Sequence, residues 1–342
     1  MIGSISNYSA PKVSVIMPVY NTELYVERAM ISLMEQTLDD VQFIIIDDGS
    51  KDNSLSIIKE IITRYPSRKD QIILISRENR GVAATRAQGM KLATGDYIIH
   101  FDSDDWTDND WLETLYNKAV ASDADVIICD FFVECLNKTL IANEHVASSS
   151  QNCVKNLLVG DISNSSCNKL VKANIFRDHE ITFHSKYDMG EDFFVTFLVF
   201  MNANKIVHVN KPLYHYNRLN ENSLTKSYSI KALDDLVGIV ELTEFYLNKA
   251  NVIDLYTNEL DVFKLGVKLQ FALHFHNDIE RIKLAFDLYP DTNRLIFCSK
   301  FRALKLVYAM RLLHLLFLYK KAYHLWKLVR IRLRRLNNIC FS

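Results

Sequence analysis

The stretch Ile98 to Trp106, IIHFDSDDW, joins a run of strand-forming apolar residues to three carboxylates within four positions, Asp102, Asp104 and Asp105. Two carboxylates about 5 Å apart repel by roughly 3 kcal/mol at an effective dielectric of about 20. Such a trio therefore needs solvent, protonation or a cation. In Asp102-Ser103-Asp104 the acids are two residues apart, so along an extended backbone both point to one side and can share a ligand. Their oxygens suit hard cations such as Mg2+ or Mn2+, which often use one or two protein carboxylates and complete their shell with water and substrate phosphates. A cation held against a diphosphate would stabilise the charge that builds as the diphosphate departs. The alternative reading is a polar turn capping a helix.

Working outward, KVSVIMP (Lys12 to Pro18), VQFIIID (Val41 to Asp47) and QIILIS (Gln71 to Ser76) repeat the pattern of short apolar, β-branched runs. With DYIIHF (Asp96 to Phe101) they read as strands covered on both faces of a parallel sheet. Val26, Ala29, Met30, Leu33 and Met34 recur at helical spacing between the first two, as do Leu55, Ile58, Ile61 and Ile62 after the second. This is a βαβαβ pattern. Thr107 and Asp110 have capping-box spacing and predict a helix through Ser122, followed by another strand in DVIICDFF. Open parallel sheets bind ligands outside the carboxyl ends of their strands, and three of these strands end in PVYN, DDGS and DSDD. No GxGxxG follows the first strand and no GxxxxGK[ST] occurs, so phosphates, if bound, must be met by a cation.

The 342 residues allow a sizeable core, and 49% apolar with 24% charged residues indicates a globular protein. The net charge of −1 hides an asymmetry: from Ser299 onward there are eleven Lys and Arg and no Asp or Glu, leaving 29 of the 40 basic residues to face all 41 acidic ones. Cys129, Cys135, Cys153, Cys167, Cys298 and Cys340 form no CxxC pair and no metal-like spacing, which predicts free thiols in a reducing compartment, with the cytosol as the expected location. MIGSISNYSAPK lacks the basic stretch and apolar core of a signal peptide. From about Tyr228 helical periodicity dominates, and a boundary is expected near Lys226. In the tail, Leu306 to Tyr319 is only fourteen residues long and contains Arg311 and His314, too short and too charged for a span. A basic amphipathic helix on an anionic membrane is expected; a helical hairpin on the acidic body or a dimer contact is the alternative. Nothing resembles a nucleic-acid-binding module.

VSVIMPVYN, SLMEQTL, IIIDDGSKDNS, ENRGVAATRAQGM, ATGDYIIHFDSDDW and GEDFFVTF occur in that order and resemble the family 2 glycosyltransferases, inverting enzymes of the GT-A fold. The resemblance covers Pro11 to Phe197 and, more weakly, extends to Lys226. It implies a Rossmann-like α/β domain over 11–226, with a mostly parallel sheet flanked by helices and a helical extension over 227–342. It also implies transfer of a sugar from a nucleotide diphosphate sugar, UDP-linked by preference, to a glycan or lipid-linked acceptor in surface polysaccharide synthesis, with Mn2+ or Mg2+ as cofactor. The enzyme would work as a peripheral protein on the cytoplasmic membrane face.

Carried over by residue, the resemblance puts Pro18, Tyr20 and Asp48 around the nucleotide base, with Tyr20 stacking and Asp48 hydrogen-bonding. Asn79, Gly81 and Arg86 match an NxG…R element, placing Arg86 near the nucleotide or the aspartates. Asp102 would approach the ribose or a metal-bound water, Ser103 would lie beside the donor, and Asp104 would ligate the metal. Asp105 and Trp106 would shape the donor pocket, unless Trp106 merely packs. The base is expected in Glu191-Asp192, with Asp192 first and Glu191 second. At a helix start, the dipole would favour the ionised form of Asp192. Lys169 would face the acceptor or pair with a carboxylate, His215 would be a third metal ligand or a structural residue, and Arg218 would contact phosphate. Two rivals remain at this level: a phosphatase with an Asp nucleophile, and a non-catalytic sugar-nucleotide-binding scaffold.

Overall fold

A computed structural model describes residues 10–220, 229–275, 278–312, 314–318 and 323. The four expected apolar runs are strands β1 (Val13–Val19), β2 (Val41–Asp47), β3 (Ile72–Ser76) and β4 (Tyr97–His100), connected by helices α1 (Val26–Met34), α2 (Ser54–Arg64) and α3 (Val82–Leu92). Along β1, Val13, Val15, Met17 and Val19 face one core while Ile16 faces another. A strand buried on both sides has no polar face to display, which is why it reads as an unbroken apolar run.

The chain continues through β5 (Trp106–Thr107), α4 (Trp111–Ser122), β6 (Val126–Cys135), β7 (Lys138–Ala142), α5 (Ser150–Val159), β8 (Lys169–Lys172), α6 (Ala173–Asp178), α7 (Glu191–Asn202) and β9 (Ile206–Asn217). The sheet order is β3-β2-β1-β4-β8-β6-β9-β5, with β7 added to β6. Its first four strands are parallel, as expected, but β8 runs antiparallel to both β4 and β6. DVIICDFF therefore forms β6, two places from β4. The mixed half curls back so that β9 brings the end of the sheet beside the turn that follows β4.

Two local expectations change. Helix α4 has no capping box: Thr107 lies in β5, and its hydroxyl accepts from Gln36 Nε2 at 3.1 Å. The buried Gln36 reaches from the end of α1, donates also to Asp108 O at 2.8 Å, and accepts from Leu112 N at 3.0 Å. One amide so placed satisfies the first turn of α4 from a distance, work that a local cap usually does. Helix α3 has no apolar stripe in its sequence because it is wedged against β1, with Ala83, Thr85, Arg86 and Gly89 buried.

Beyond β9 come α8 (Ile230–Lys249), α9 (Thr257–His274), α10 (Ile279–Asp287) and α11 (Arg302–Leu312). The boundary expected near Lys226 falls outside the described residues. The helices continue the sheet's core: Ile239, Leu247, Tyr256 and Leu260 pack into the layer that contains α5 and α7. The first part of the basic tail folds onto this region, with Leu304 and Val307 of α11 buried and Arg311 paired to Asp287 at 2.8 Å. Residues 319–322 and 324–342, which carry the rest of the expected amphipathic helix, and Cys340 lie outside the described set. No helix among the described residues is long and apolar enough to cross a membrane. The five described cysteines are free thiols.

A Cβ built on Gly89 would lie 2.3 Å from Ile16 Cγ2, so α3 approaches β1 more closely than any other residue permits. Helix propensity alone predicts that Gly89→Ala would gain about 1 kcal/mol. Close packing reverses the sign: the substitution should cost about 1–3 kcal/mol, read as a fall in melting temperature, and a rise would show that the contact yields.

Candidate active site

The carboxyl ends of β1, β2 and β4 form one rim. After β2, Asp47 ties its own turn, accepting from Ser50 N at 3.2 Å and from Ser76 Oγ at 2.8 Å. Asp48, 3% exposed, accepts from the backbone N–H groups of Arg80 (3.0 and 3.1 Å) and Gly81 (2.9 Å) and pairs with Arg77 at 2.9 Å. Gly49, at φ +78°, is required here, because a Cβ would sit 2.9 Å from Asn79 N. The DDGS turn and the loop carrying Asn79 and Gly81 are thus locked together. Asn21 joins the turn after β1 to the same unit, its N–H donating to Ser50 Oγ (3.0 Å) and its Oδ1 accepting from Lys51 N (2.7 Å). Pro18 sits in β1 opposite Ile46, and Tyr20 stands half exposed at the rim.

The turn after β4 is not extended. Asp105 N bonds Asp102 O at 3.1 Å, so the acids are separated by a tight turn rather than by strand alternation. Buried Ser103 accepts from Thr22 Oγ1 at 3.1 Å. Asp105, also buried, accepts from Tyr214 Oη at 2.6 Å and Asn217 N at 2.7 Å and so anchors β9. Burial, with Asp104 and Asp102 nearby, pushes its carboxyl well above the usual range. Asp104 accepts from Asn220 Nδ2 at 2.8 Å, and burial followed by repulsion from Asp102 pushes it up to about 6. Both shifts arise first from burial and then from the neighbouring acids of the turn.

Arg86, from α3, is buried among three carboxylates. Its Nη1 donates to Glu191 Oε1 at 2.7 Å and Asp192 Oδ1 at 2.9 Å, and its Nη2 donates to Asp102 Oδ1 at 2.8 Å. Burial pulls the guanidinium down, but Asp192, Asp102 and Glu191 outweigh it and hold the charge firmly. Asp192 lies in the first turn of α7, one residue after its start at Glu191, yet its carboxyl is raised: burial exceeds the pull of Arg86, and the anticipated net gain from the helix start is not realised. Burial and the neighbouring Asp192 push Glu191 up to about 8. The Asp192 side chain is 20% exposed against 10% for Glu191, so Asp192 is the more open acid.

The segment before α7 is held by the C-terminal helices. Asp235 of α8 accepts from Asp188 N (3.0 Å) and Met189 N (3.3 Å), and Lys231 pairs with Asp188 at 2.9 Å.

Three further expected residues sit differently. His215, between Trp106 and Phe132, stacks on both at 5.0 and 4.5 Å, and its ring nitrogens meet Glu134 (2.8 Å) and Asp108 (3.2 Å). It is a structural residue, its ring turned to these acids rather than to Asp104. Trp106 packs, with the Arg28 guanidinium 3.1 Å over its ring. Lys169 neither faces an acceptor nor pairs with a carboxylate: its ammonium donates to Ser163 O, Ser165 O and Asn168 Oδ1 at 2.7–2.8 Å. Arg218 lies exposed just beyond β9. Sequence reasoning missed Tyr214, Asn217, Asn220, Ser166 and Asp235. Each meets its partner from at least 26 residues away, with no periodic signal to announce it.

Comparison with known proteins agrees with this arrangement. Glycosyl transferase family 2 matches residues 14–179. EpsH of Bacillus subtilis (strain 168), a glycosyltransferase by name, is 32% identical over 260 residues, 74% of either chain. Residues 1–349 of S. aureus TarS, solved in complex with UDP-GlcNAc, superpose with a TM-score of 0.64 at 19% identity, over 92% of this chain and 91% of that one. The mannosyltransferase PcManGT from Pyrobaculum calidifontis, solved with GDP-Man and Mn2+, gives a TM-score of 0.54 at 15% identity over 93% and 84%. At such identities these likenesses show the fold, the GT-A arrangement. With the match to EpsH and the ordered motifs on the rim, the chain belongs to the family 2 glycosyltransferases.

Proposed function

We propose that this glycosyltransferase moves a hexose-type sugar, with inversion, from a UDP-linked donor to a glycan or lipid-linked acceptor in surface polysaccharide synthesis. The observation that carries the reading is the Arg86 cluster, which joins the acidic turn after β4 to the acids that open α7. Donor and base are thereby brought into one cleft. The reading is supported by TarS and PcManGT, solved with nucleotide sugars.

Pro18, half-exposed Tyr20 and the unit locked by Asp48 line the base and ribose side, with Tyr20 stacking. Ser103 and Asp102 border the donor, and Arg218 meets phosphate. Asp192 accepts the acceptor hydroxyl's proton as its oxygen attacks the anomeric carbon from the face opposite the departing diphosphate. A base is most effective when its pKa lies near the working pH, and the raised carboxyl of Asp192 moves in that direction. Glu191, pushed up to about 8, keeps its own proton at neutral pH and serves as a neutral partner of Arg86.

The turn fits a divalent cation. Two hard oxygen donors lie together, one of them desolvated and raised by the other, which is the imbalance that a cation would relieve. No group of three His, Cys, Asp or Glu is arranged for a metal among the described residues. Asp104 and Asp102 would hold Mn2+ or Mg2+, which when bound supplies positive charge against the departing diphosphate.

The tail beyond Tyr323 contains Lys327, Arg330, Arg332, Arg334 and Arg335 among leucines and aromatics. On this reading it holds the enzyme to the anionic cytoplasmic face of a membrane, each basic residue near the surface contributing about 1 kcal/mol. Truncation must spare α11, whose Leu304 and Val307 complete a core.

Screening nucleotide sugars for thermal stabilisation with and without Mn2+ tests the donor assignment. Asp104→Ala should abolish the Mn2+-dependent part of the shift, whereas Asp192→Asn should keep donor binding and lose about 10²–10⁴-fold in turnover. Wild-type turnover in Asp192→Asn would overturn the base assignment. Glu191→Gln tests the charge state. The folded protein retains this proton up to about pH 8, but the unfolded chain releases it near pH 4.3. Stability from this group therefore falls as pH rises through that window. The variant should lose less stability than the wild type over it, and parallel melting curves would refute the assignment. Finally, truncation after Tyr323 should preserve donor-induced stabilisation and abolish flotation with anionic vesicles; retained flotation would dismiss the membrane role.

A further inference from the structure

Among the described residues, both hydrogen bonds made to the Asp192 carboxylate fall on one oxygen. Oδ1 accepts from Arg86 Nη1 at 2.9 Å and from Ser166 Oγ at 2.8 Å. No partner among the described residues bonds Oδ2, and the side chain is 20% exposed. Ser166 itself is buried. It lies on the loop between α5 and β8, and that loop is wound around the Lys169 ammonium. Lys169, 3% exposed, directs its three protons to Ser163 O (2.8 Å), Ser165 O (2.7 Å) and Asn168 Oδ1 (2.7 Å). An ammonium has three donors and no acceptor, so its hydrogen-bonding capacity is spent on the loop.

The loop is braced from the other side by Glu144, which accepts from Ser163 N at 2.8 Å and Asn168 Nδ2 at 2.7 Å. Two serine turns complete it: Ser163 Oγ accepts from Ser165 N at 3.1 Å, and Ser165 Oγ accepts from Cys167 N at 3.2 Å. Among the described residues this ammonium is hydrogen-bonded only by carbonyl oxygens, and burying it is costly.

We infer that Ser166 is a positioning residue for the base: with Arg86 it holds Asp192 Oδ1, leaving Oδ2 as the oxygen that takes the acceptor's proton, and buried Lys169 latches the loop that presents Ser166. The inference deepens the assignment of Asp192 as base and rests on it. In the step, the acceptor O–H proton passes to Oδ2 while the oxygen's electron pair forms the bond to the anomeric carbon. The bond from that carbon to the diphosphate breaks, and its electron pair leaves on the diphosphate oxygen. Throughout, Oδ1 keeps its two donors, so the carboxylate does not rotate away from the acceptor.

The groups facing Asp192 are Arg86 from α3, Asp102 after β4, Glu191 on α7, Cys167 on the loop before β8 and Lys169 at the start of β8. Ser166 adds a hydrogen bond that favours the ionised carboxylate. Its removal should therefore move the acidic limb of the rate profile to higher pH.

The test compares Ser166→Ala, Ser166→Thr, Lys169→Met and Asp192→Asn in the full-length protein. UDP with Mn2+ is the binding probe, and turnover uses the nucleotide sugar that stabilises the wild type most. Ser166→Ala should lower kcat about 10–100-fold, leave the donor KM within about twofold, and raise the acidic limb by about one pH unit. Ser166→Thr should restore both kcat and the profile. Lys169→Met should reproduce the effect of Ser166→Ala, and the double variant should be no worse than Lys169→Met alone. A wild-type kcat and pH profile in Ser166→Ala, with Asp192→Asn inactive, would overturn the positioning role and leave the base assignment standing. Turnover in Asp192→Asn would overturn the base assignment itself. If Lys169→Met no longer binds UDP, the latch is refuted as a local device, while Ser166→Ala still decides the role of Ser166.

Discussion

One buried guanidinium governs this site. Arg86 faces Asp102, Asp192 and Glu191 at 2.7–2.9 Å with little solvent to screen them. Interactions between charges strengthen as water is withdrawn, so a change at one carboxylate is felt at the others. Burial, more than the neighbouring charges, raises the carboxyls of Glu191 and Asp192 against the pull of Arg86. A buried cluster of this kind adds little net stability compared with an apolar core, but removing one partner leaves charge stranded. Its value lies in coupling the acidic turn after β4 to the start of α7.

The shape of the cleft depends on parts of the chain remote from it. Tyr214 and Asn217, on β9, hold Asp105, while Asn217 and Asn220 grip Asp104. The acidic turn is thus clamped from the far edge of the sheet. Asp235 and Lys231 of α8 hold the segment before α7. Helices α8 and α9 therefore share the core beneath the site.

Much of the first half was legible before any coordinates. Unbroken apolar runs ended in turn residues, and α1 and α2 displayed their stripes because each covers only one face of the sheet. The less legible features arose where long-range packing replaced a local rule. Helix α3 has no stripe because Gly89 and Arg86 both lie inward, one against a strand and the other in an ion cluster. The cap of α4 comes from Gln36, and the separation of β6 from β4 depends on a strand made some seventy residues after β4. Lys169 was read as a group for an acceptor or a carboxylate because a lysine's charge is visible in the sequence, whereas the carbonyls that surround it belong to a loop with no pattern.

The sequence by itself determined the fold class, the family and the acids that gather at the rim, because these depend on local periodicity and on short motifs in a definite order. The tertiary structure alone decided which oxygen of Asp192 is held, that Asp105 anchors β9, that His215 is enclosed by aromatic rings, and that α8 braces the segment before α7. These outcomes depend on burial and on contacts between residues far apart in the chain. Desolvation and hydrogen-bond partnership are properties of the folded surroundings, and no residue carries them in its identity.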